Sequence, residues 1–290
     1  MSSGYMDLHN HSTASDGTDA PSRIPALAAE LDLAAVALTD HDTLGGIAEF
    51  LAAAADFPAV EAVPGVEISC EYSGREIHLL GLFVDHESPE LNEFLRRQRE
   101  DRLRRNEEMM RKLNSLGYAL SWEDEEFRNG DAANMGRPHF ARALVRRYGF
   151  PSLAAVFEKL LGHSRPGFVP RRLPSPVFAI EAIHAAGGVA VWAHPVYRDR
   201  NERAWLNRGL RRMSGWGLDA VEGYYSLFGK NETALVSEAA ERYGVALSGG
   251  SDYHGNNSTV AMGSGAGGLR VPAGLLEGLK KRRDMHRPSN

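Results

Sequence analysis

The sequence predicts an α/β barrel interrupted by a helical insertion, and three observations lead there. Short β-branched or apolar runs alternate with Ala/Leu-rich helical patterns through the first ninety residues, and the same rhythm returns after about residue 173. Between them, residues 91–172 show helical patterns and no strand. A length of 290 residues suits one barrel, residues 1–90 with 173–290, enclosing an insertion at 91–172.

Taken in order, strands are expected at Tyr5 to Leu8, Ala34 to Thr39, Glu61 to Val63 and Glu76 to Val84, with helices near Pro21 to Leu31 and Gly45 to Ala55. Helices then follow at Leu91 to Leu116, Pro138 to Tyr148 and Ser152 to Leu161. The barrel rhythm resumes with a helix from Ser175 to Ala186, where Ser175 and Pro176 read as N-cap and first-turn proline. Later strands are expected at Val189 to Ala193, Asp219 to Gly223 and Val245 to Ser248.

Composition narrows the class. With 43% hydrophobic and 24% charged residues the chain reads as an ordinary globular protein, and no apolar run is long enough to span a bilayer. Met1 to Ser12 has neither the basic region nor the apolar stretch of a signal peptide, so a cytoplasmic location is expected. Cys70 is the single cysteine, which excludes internal disulfides and cysteine-based zinc sites. Any metal must therefore sit on His and carboxylates. Residues 94–172 carry 17 Lys and Arg against 10 Asp and Glu, while the rest carries 16 against 28, so a basic segment is set into an acidic body.

The chemistry lies at strand ends. His9 and His11 are two apart in an extended segment and share a face, with Asp7 placed to orient an imidazole. The second strand ends in Thr39-Asp40-His41-Asp42, where Asp42 reads either as a catalytic carboxylate or as a helix cap and turn. Glu67, His78 and His194 sit in or at the ends of apolar runs, and Asp252 with His254 repeats the two-residue spacing. In a barrel such ends converge on one face. His86, His163, His184 and His286 fall in expected loops or helices and read as surface or packing residues.

Several of these segments together resemble the PHP (polymerase and histidinol phosphatase) family. They are Asp7 to Ser12, Ser15-Asp16-Gly17, Thr39 to Asp42, Pro64 to Ile68, His78, Ala193-His194-Pro195 and Gly250 to His254, and the match runs to about Gly255. The resemblance implies a distorted (β/α)7 barrel and two or three divalent metal ions. It implies that His9, His11, Glu67 and Asp252 hold one ion, that Glu67 bridges to a second held by His78 and His194, and that Asp16, His41 and His254 hold a third. Manganese is expected, and iron or zinc also suits such ligands.

Within the family the helical insertion, with Gly136-Arg137-Pro138-His139 inside it, is similar to the stand-alone nucleotide phosphoesterases. These remove the 3′-phosphate of 3′,5′-bisphosphonucleotides or degrade short RNA from its 5′ end. Three divalent ions against three carboxylates leave a surplus of about three positive charges, which favours a metal-bound hydroxide attacking a phosphate dianion. Arg99, Arg102, Arg105, Arg137, His139 and Arg165 are the candidates for binding further substrate phosphate. A small phosphorylated substrate, a nucleotide or short RNA, is the expected partner, with no membrane and no obligate protein partner.

Other readings stay open. An amidohydrolase-type barrel also opens with two His spaced like His9 and His11, but the lysines at 112, 159, 230, 280 and 281 are not at expected strand ends, where many such enzymes carry a carboxylated Lys. Histidinol phosphate, or another small phosphate ester, would share the site. A metal- or nucleic-acid-binding module without turnover would be separated by a phosphatase assay.

Overall fold

The computed structural model describes residues 4–128, 132–133, 135–196, 202–257 and 259–286. Its backbone divides into two compact units, Met1–Leu95 with Leu173–Asn290, and Arg96–Arg172.

In the first unit the strands are β1 (Tyr5–Asp7), β2 (Leu33–Leu38), β3 (Glu61–Tyr72), β4 (Arg75–Leu82), β5 (Val189–Trp192), β6 (Ala220–Tyr225), β7 (Ala246–Gly250) and β8 (Val271–Pro272). They form one sheet in the order β7-β6-β5-β4-β3-β2-β1-β8. The Leu8 amide donates to the Gly249 carbonyl at 3.1 Å, and Asn10 pairs with Tyr253, so β7 returns to β1 and the barrel is nearly closed.

The distortion lies at β4. Pairings β1 to β2, β2 to β3, β5 to β6 and β6 to β7 are parallel, whereas β4 runs antiparallel to both neighbours. β3 is also longer than the expected Glu61 to Val63, because Pro64 and Gly65 do not end it. They mark where it changes partner: Pro64 still pairs with Leu38, and Gly65 already pairs with Leu82. A Cβ on Gly65 would sit 2.9 Å from Thr39 Cγ2 and 3.0 Å from the Gly81 carbonyl, so the crossing tolerates only glycine. Ser73 and Gly74 then close a two-residue hairpin with positive φ at both positions, 51° and 76°, as a primed turn requires.

The helices are α1 (Arg23–Glu30), α2 (Ile47–Ala54), α3 (Pro89–Ser115), α4 (Glu125–Arg128), α5 (Arg137–Tyr148), α6 (Leu153–Val156), α7 (Pro176–Ala185), α8 (Glu202–Ser214), α9 (Lys230–Tyr243) and α10 (Leu275–His286). Along β2 the small Ala35 and Ala37 join Met6, Val63, Leu80 and Val191 in one buried cluster, and Val36 and Leu38 join Ile24, Ile47 and Phe50 of α1 and α2 in another. Both strand faces are thereby dry, which is why β2 reads as a continuous apolar run. Each fully buried Leu, Ile or Phe contributes about 1.5–3 kcal/mol.

The second unit holds most of α3 with α4, α5, α6 and a π-helical turn, Phe157–Leu161, around Met109, Leu113, Phe140, Leu144 and Leu161. The buried stripe of α3 runs Leu91, Leu95, Gln98, Arg102, Arg105, Met109 and Leu113. Its spacing is helical, yet its middle is polar. Beside it the Asn106 amide donates to the carbonyls of Ala132 at 2.7 Å and Met135 at 2.8 Å, fixing the approach to α5.

Candidate metal centre

β1 delivers His9 and His11. Between them Asn10 turns to the wall, its amide donating to the carbonyls of Asp7 at 3.1 Å and Ala37 at 3.0 Å, so the flanking imidazoles share the other side. A Cβ at Gly250 would lie 2.3 Å from His9 Cβ, so only glycine lets β7 pass this close.

The loop after β1 is set by Asp40, at the end of β2. Its buried carboxylate accepts the Ser12 amide at 2.8 Å, the Ser12 hydroxyl at 2.6 Å and the Ser15 hydroxyl at 2.5 Å, which places Asp16. The next residue, His41, pairs in parallel with Glu67 and carries the β2 to β3 ladder into the centre. Asp42 has φ 52° and accepts the Ser69 amide at 3.0 Å and hydroxyl at 3.3 Å, so these bonds hold β3 two residues beyond Glu67.

Glu67 is the hub. Its Oε1 lies 2.8 Å from His78 Nδ1, 3.2 Å from His194 Nε2 and 3.4 Å from His9 Nε2, and its Oε2 lies 3.0 Å from His41 Nδ1 and 3.2 Å from His11 Nε2. Asp252 Oδ1 faces His11 Nε2 at 3.2 Å and His9 Nε2 at 3.4 Å. Asp16 Oδ1 lies 3.3 Å from His254 Nε2, and its Oδ2 lies 3.9 Å from His41 Nε2.

Three overlapping clusters result, each with candidate ligand atoms within 4.8 Å of one another. They are His9, His11, Glu67 and Asp252; His41, Glu67 and His78; and His11, Asp16, His41 and His254. His194 adjoins through Glu67. The backbone is held in the left-handed region at His194 (φ 31°) and Asp252 (φ 59°), conformations that non-glycine residues keep only where the surroundings impose them.

Burial opposes charge on Glu67, Asp16, His11 and His78, and the fields of their neighbours overcome it. Burial would raise the Glu67 carboxyl, yet the imidazoles of His41, His78, His9 and His11 hold it well below the usual range. Asp16 is likewise held down by His41, His254 and His11. Burial would lower His11 and His78, but Asp252 and Glu67 push His11 up to about 10, and Glu67 with Glu76 does the same for His78. Buried carboxylates set this strongly against imidazoles hold cationic charge in place.

The residues fit metal ions. His9 Nε2, both ring nitrogens of His11, His41 Nδ1 and Glu67 Oε2 are buried without a hydrogen-bond partner. Such atoms are costly when left unsatisfied, and these face one another across the clusters. Imidazole nitrogens with carboxylate oxygens are the donors that first-row divalent ions take.

Other placements differ from the sequence reading. Asp7 does not orient an imidazole: it accepts the backbone amides of Ser251 at 2.9 Å, Gly263 at 2.7 Å and His9 at 3.3 Å. That task falls to Glu222 on β6, fully buried, which takes His9 Nδ1 at 3.0 Å and the His194 amide at 2.7 Å. Tyr225, also on β6, donates its hydroxyl to Asp252 Oδ2 at 2.9 Å and leaves Oδ1 to the imidazoles. The sequence signal for Glu222 was a carboxylate inside an expected strand, and Tyr225 fell just beyond that strand with no signal. His184 and His286 are not independent surface or packing residues, since both bond Asp219.

The candidate phosphate-binding residues lie in the second unit. Arg99, Arg102 and Arg105 are on α3, with Arg102 and Arg105 buried. Arg137 opens α5 with its guanidinium 5.7 Å from the Phe168 ring centre, the Gly136 amide donates to His139 Nδ1 at 3.2 Å, and Arg165 is exposed in the turn after the π-helix.

Glu222→Ala is expected to lower metal affinity and turnover by about tenfold to a hundredfold, the usual cost of losing a ligand's hydrogen-bond partner. Metal titration followed by kinetics at saturating metal checks this, and unchanged affinity would remove Glu222 from the centre.

An α/β barrel whose strand ends gather imidazoles and carboxylates into clusters fit for several ions defines a metal-dependent hydrolase. The PHP domain model matches residues 7–166. A 5′-3′ exoribonuclease Rnm of Salmonella typhimurium is 34% identical over 274 residues, covering 93% of this chain and 90% of the relative. A 3′,5′-nucleoside bisphosphate phosphatase of Chromobacterium violaceum is 36% identical over 253 residues, covering 86% and 87%. A Bifidobacterium adolescentis crystal structure, described as a metal-dependent phosphoesterase, superposes with a TM-score of 0.84 at 28% identity over 96% of both chains. The chain belongs to the PHP family. It is a metal-dependent phosphoesterase.

Proposed function

We propose that the chain hydrolyses a phosphate ester of a nucleotide, removing the 3′-phosphate of a 3′,5′-bisphosphonucleotide or cleaving short RNA from its 5′ end. The observation that carries the nucleotide reading is the polar interruption of α3, where Arg102 and Arg105 occupy core-stripe positions that Leu and Met hold on either side. A guanidinium at such a position can pair bidentately with a phosphate, which Leu or Met could not. The two nucleotide-acting relatives support the same substrate class.

His9, His11, Glu67 and Asp252 would hold one ion, His78 and His194 with Glu67 a second, and Asp16, His41 and His254 a third, with Mn²⁺ the proposed metal. When bound, such ions supply Lewis acidity toward the phosphoryl group and acidify water. The chain does the positioning: Glu222 aims His9 Nε2 inward, Tyr225 directs Asp252 Oδ1, and Asp40 fixes the Asp16 loop. Arg99, Arg102, Arg105, Arg137, His139 and Arg165 would bind substrate phosphate. No helix among the described residues is long and apolar enough to cross a membrane. We place the enzyme in the cytoplasm, with such nucleotides.

The test is a panel of 3′,5′-bisphosphonucleotides, mononucleotides, 5′-phosphorylated short RNA and histidinol phosphate. Activity is expected to vanish with chelator, return with Mn²⁺ and favour the bisphosphonucleotides or RNA. Highest kcat/KM on histidinol phosphate would overturn the nucleotide reading, and full activity in metal-free protein would overturn the metal centre.

A further inference from the structure

We propose that His184, Asp219 and His286 form a separate metal site, for Zn²⁺, that fastens α10 to the barrel. The three residues come from the end of α7, the position before β6 and the last residue of α10. Asp219 Oδ2 lies 2.8 Å from His184 Nε2, and Oδ1 lies 2.8 Å from His286 Nε2. The two rings stack with centroids 3.7 Å apart at 19°, so both Nε2 atoms face one carboxylate.

The carboxylate is set in advance by the barrel. Asp219 Oδ2 accepts the Ala190 amide at 2.9 Å, its own amide donates to the Ala190 carbonyl at 3.0 Å, and its carbonyl accepts the Ala246 amide at 2.8 Å. A carboxylate fixed by the barrel, with one oxygen facing each imidazole, completes a ligand set of the kind zinc takes, two nitrogens and a carboxylate. Ligand atoms about 2.0–2.2 Å from a zinc ion stand roughly 3–3.5 Å from one another, so the 2.8 Å contacts would open by a few tenths of an ångström while the stacked rings turn to aim both Nε2 lone pairs at the ion. All three candidate ligand atoms already lie within 4.8 Å of one another. The imidazoles are 21% and 19% exposed, which leaves a side for water as a fourth ligand.

The site is distinct from the phosphoesterase centre. Asp219 stands before β6, whereas Glu222 and Tyr225, which touch the centre, lie three and six residues further along it, on the order of 10 and 20 Å of extended chain. To bind the ion each neutral imidazole would present its Nε2 lone pair and carry its one ring proton on Nδ1, and coordination would join α10 to α7 and the strand starts.

The full chain is tested with Zn²⁺ alone in a metal buffer. Native mass spectrometry is expected to count one zinc ion more per chain in the unaltered protein than in His184→Gln or His286→Gln. Amide hydrogen exchange across α10 is expected to slow at least tenfold on adding Zn²⁺ to the unaltered protein, and not in either variant. Both variants are expected to keep their phosphoesterase activity with Mn²⁺. Equal zinc counts in all three proteins would overturn the proposal. So would unchanged exchange of α10 in the unaltered chain, a readout that depends on no variant; the cluster is then a hydrogen-bonded pair of imidazoles on one carboxylate.

Discussion

Glu67→Gln is expected to cut phosphoesterase turnover by on the order of a thousandfold or more while leaving the barrel folded. Loss of a ligand's supporting partner typically costs tenfold to a hundredfold, and Glu67 sits one step further in, shared by two clusters and flanked by five imidazoles. Glutamine keeps the shape and removes the charge. Breaking a buried ion pair can cost about 3–5 kcal/mol, but the imidazoles here can shed their protons when their carboxylate goes, so the stability loss should fall below that range. Kinetics with an aryl phosphate and Mn²⁺, a thermal melt and metal analysis together decide it. A variant within tenfold of normal turnover would show that Glu67 is not the hub.

A bisphosphonucleotide should exceed its one-phosphate analogue in kcat/KM by about tenfold to a hundredfold, the value of one charge-assisted contact of about 1.5–3 kcal/mol. Arg102→Gln or Arg165→Ala should erase most of that preference. Gln is chosen at 102 because the Arg102 stem is buried in α3's stripe and truncation would open a cavity, whereas Arg165 is exposed and tolerates Ala. Hydrolysis of an aryl phosphate, which offers no second phosphate, should fall far less. Equal losses on both substrates would put that Arg at the reacting phosphate or in the fold, and no preference in the unaltered enzyme would remove the bisphosphate reading.

His9, His11, His41, His194, Asp252 and His254 stood out because they follow apolar runs at expected strand ends, and Glu67 and His78 because they interrupt such runs, whereas Asp16, in a polar loop, was offered only by the family resemblance. The residues that aim them did not stand out. Glu222 and His9 meet only after the chain has gone around the barrel, and nothing near Glu222 distinguishes it from a solvent-facing strand residue until both ends of that contact are in place. Asp7 was misread for the complementary reason: a carboxylate two residues from a His looks like its partner, but the backbone amides of Ser251 and Gly263 arrive from far along the chain. Pro64 and Gly65 concealed the length of β3 because residues that usually end a strand here let it exchange neighbours. His184 and His286 looked unrelated until α10 packed back.

The near-closure of the barrel through Leu8 and Gly249 imposes an order of assembly. As the chain leaves the ribosome, His41, Glu67 and His78 emerge within one local β2-β3-β4 unit, and their cluster needs no later residue. His9 and His11 are made earlier still but must wait for Asp252 and His254, which come after β7. His41, Glu67 and His78 are therefore made well before His194, Asp252 and His254, which the proposed ions also need. Completion of the centre then reports that the chain has wound fully around and met its own first strand.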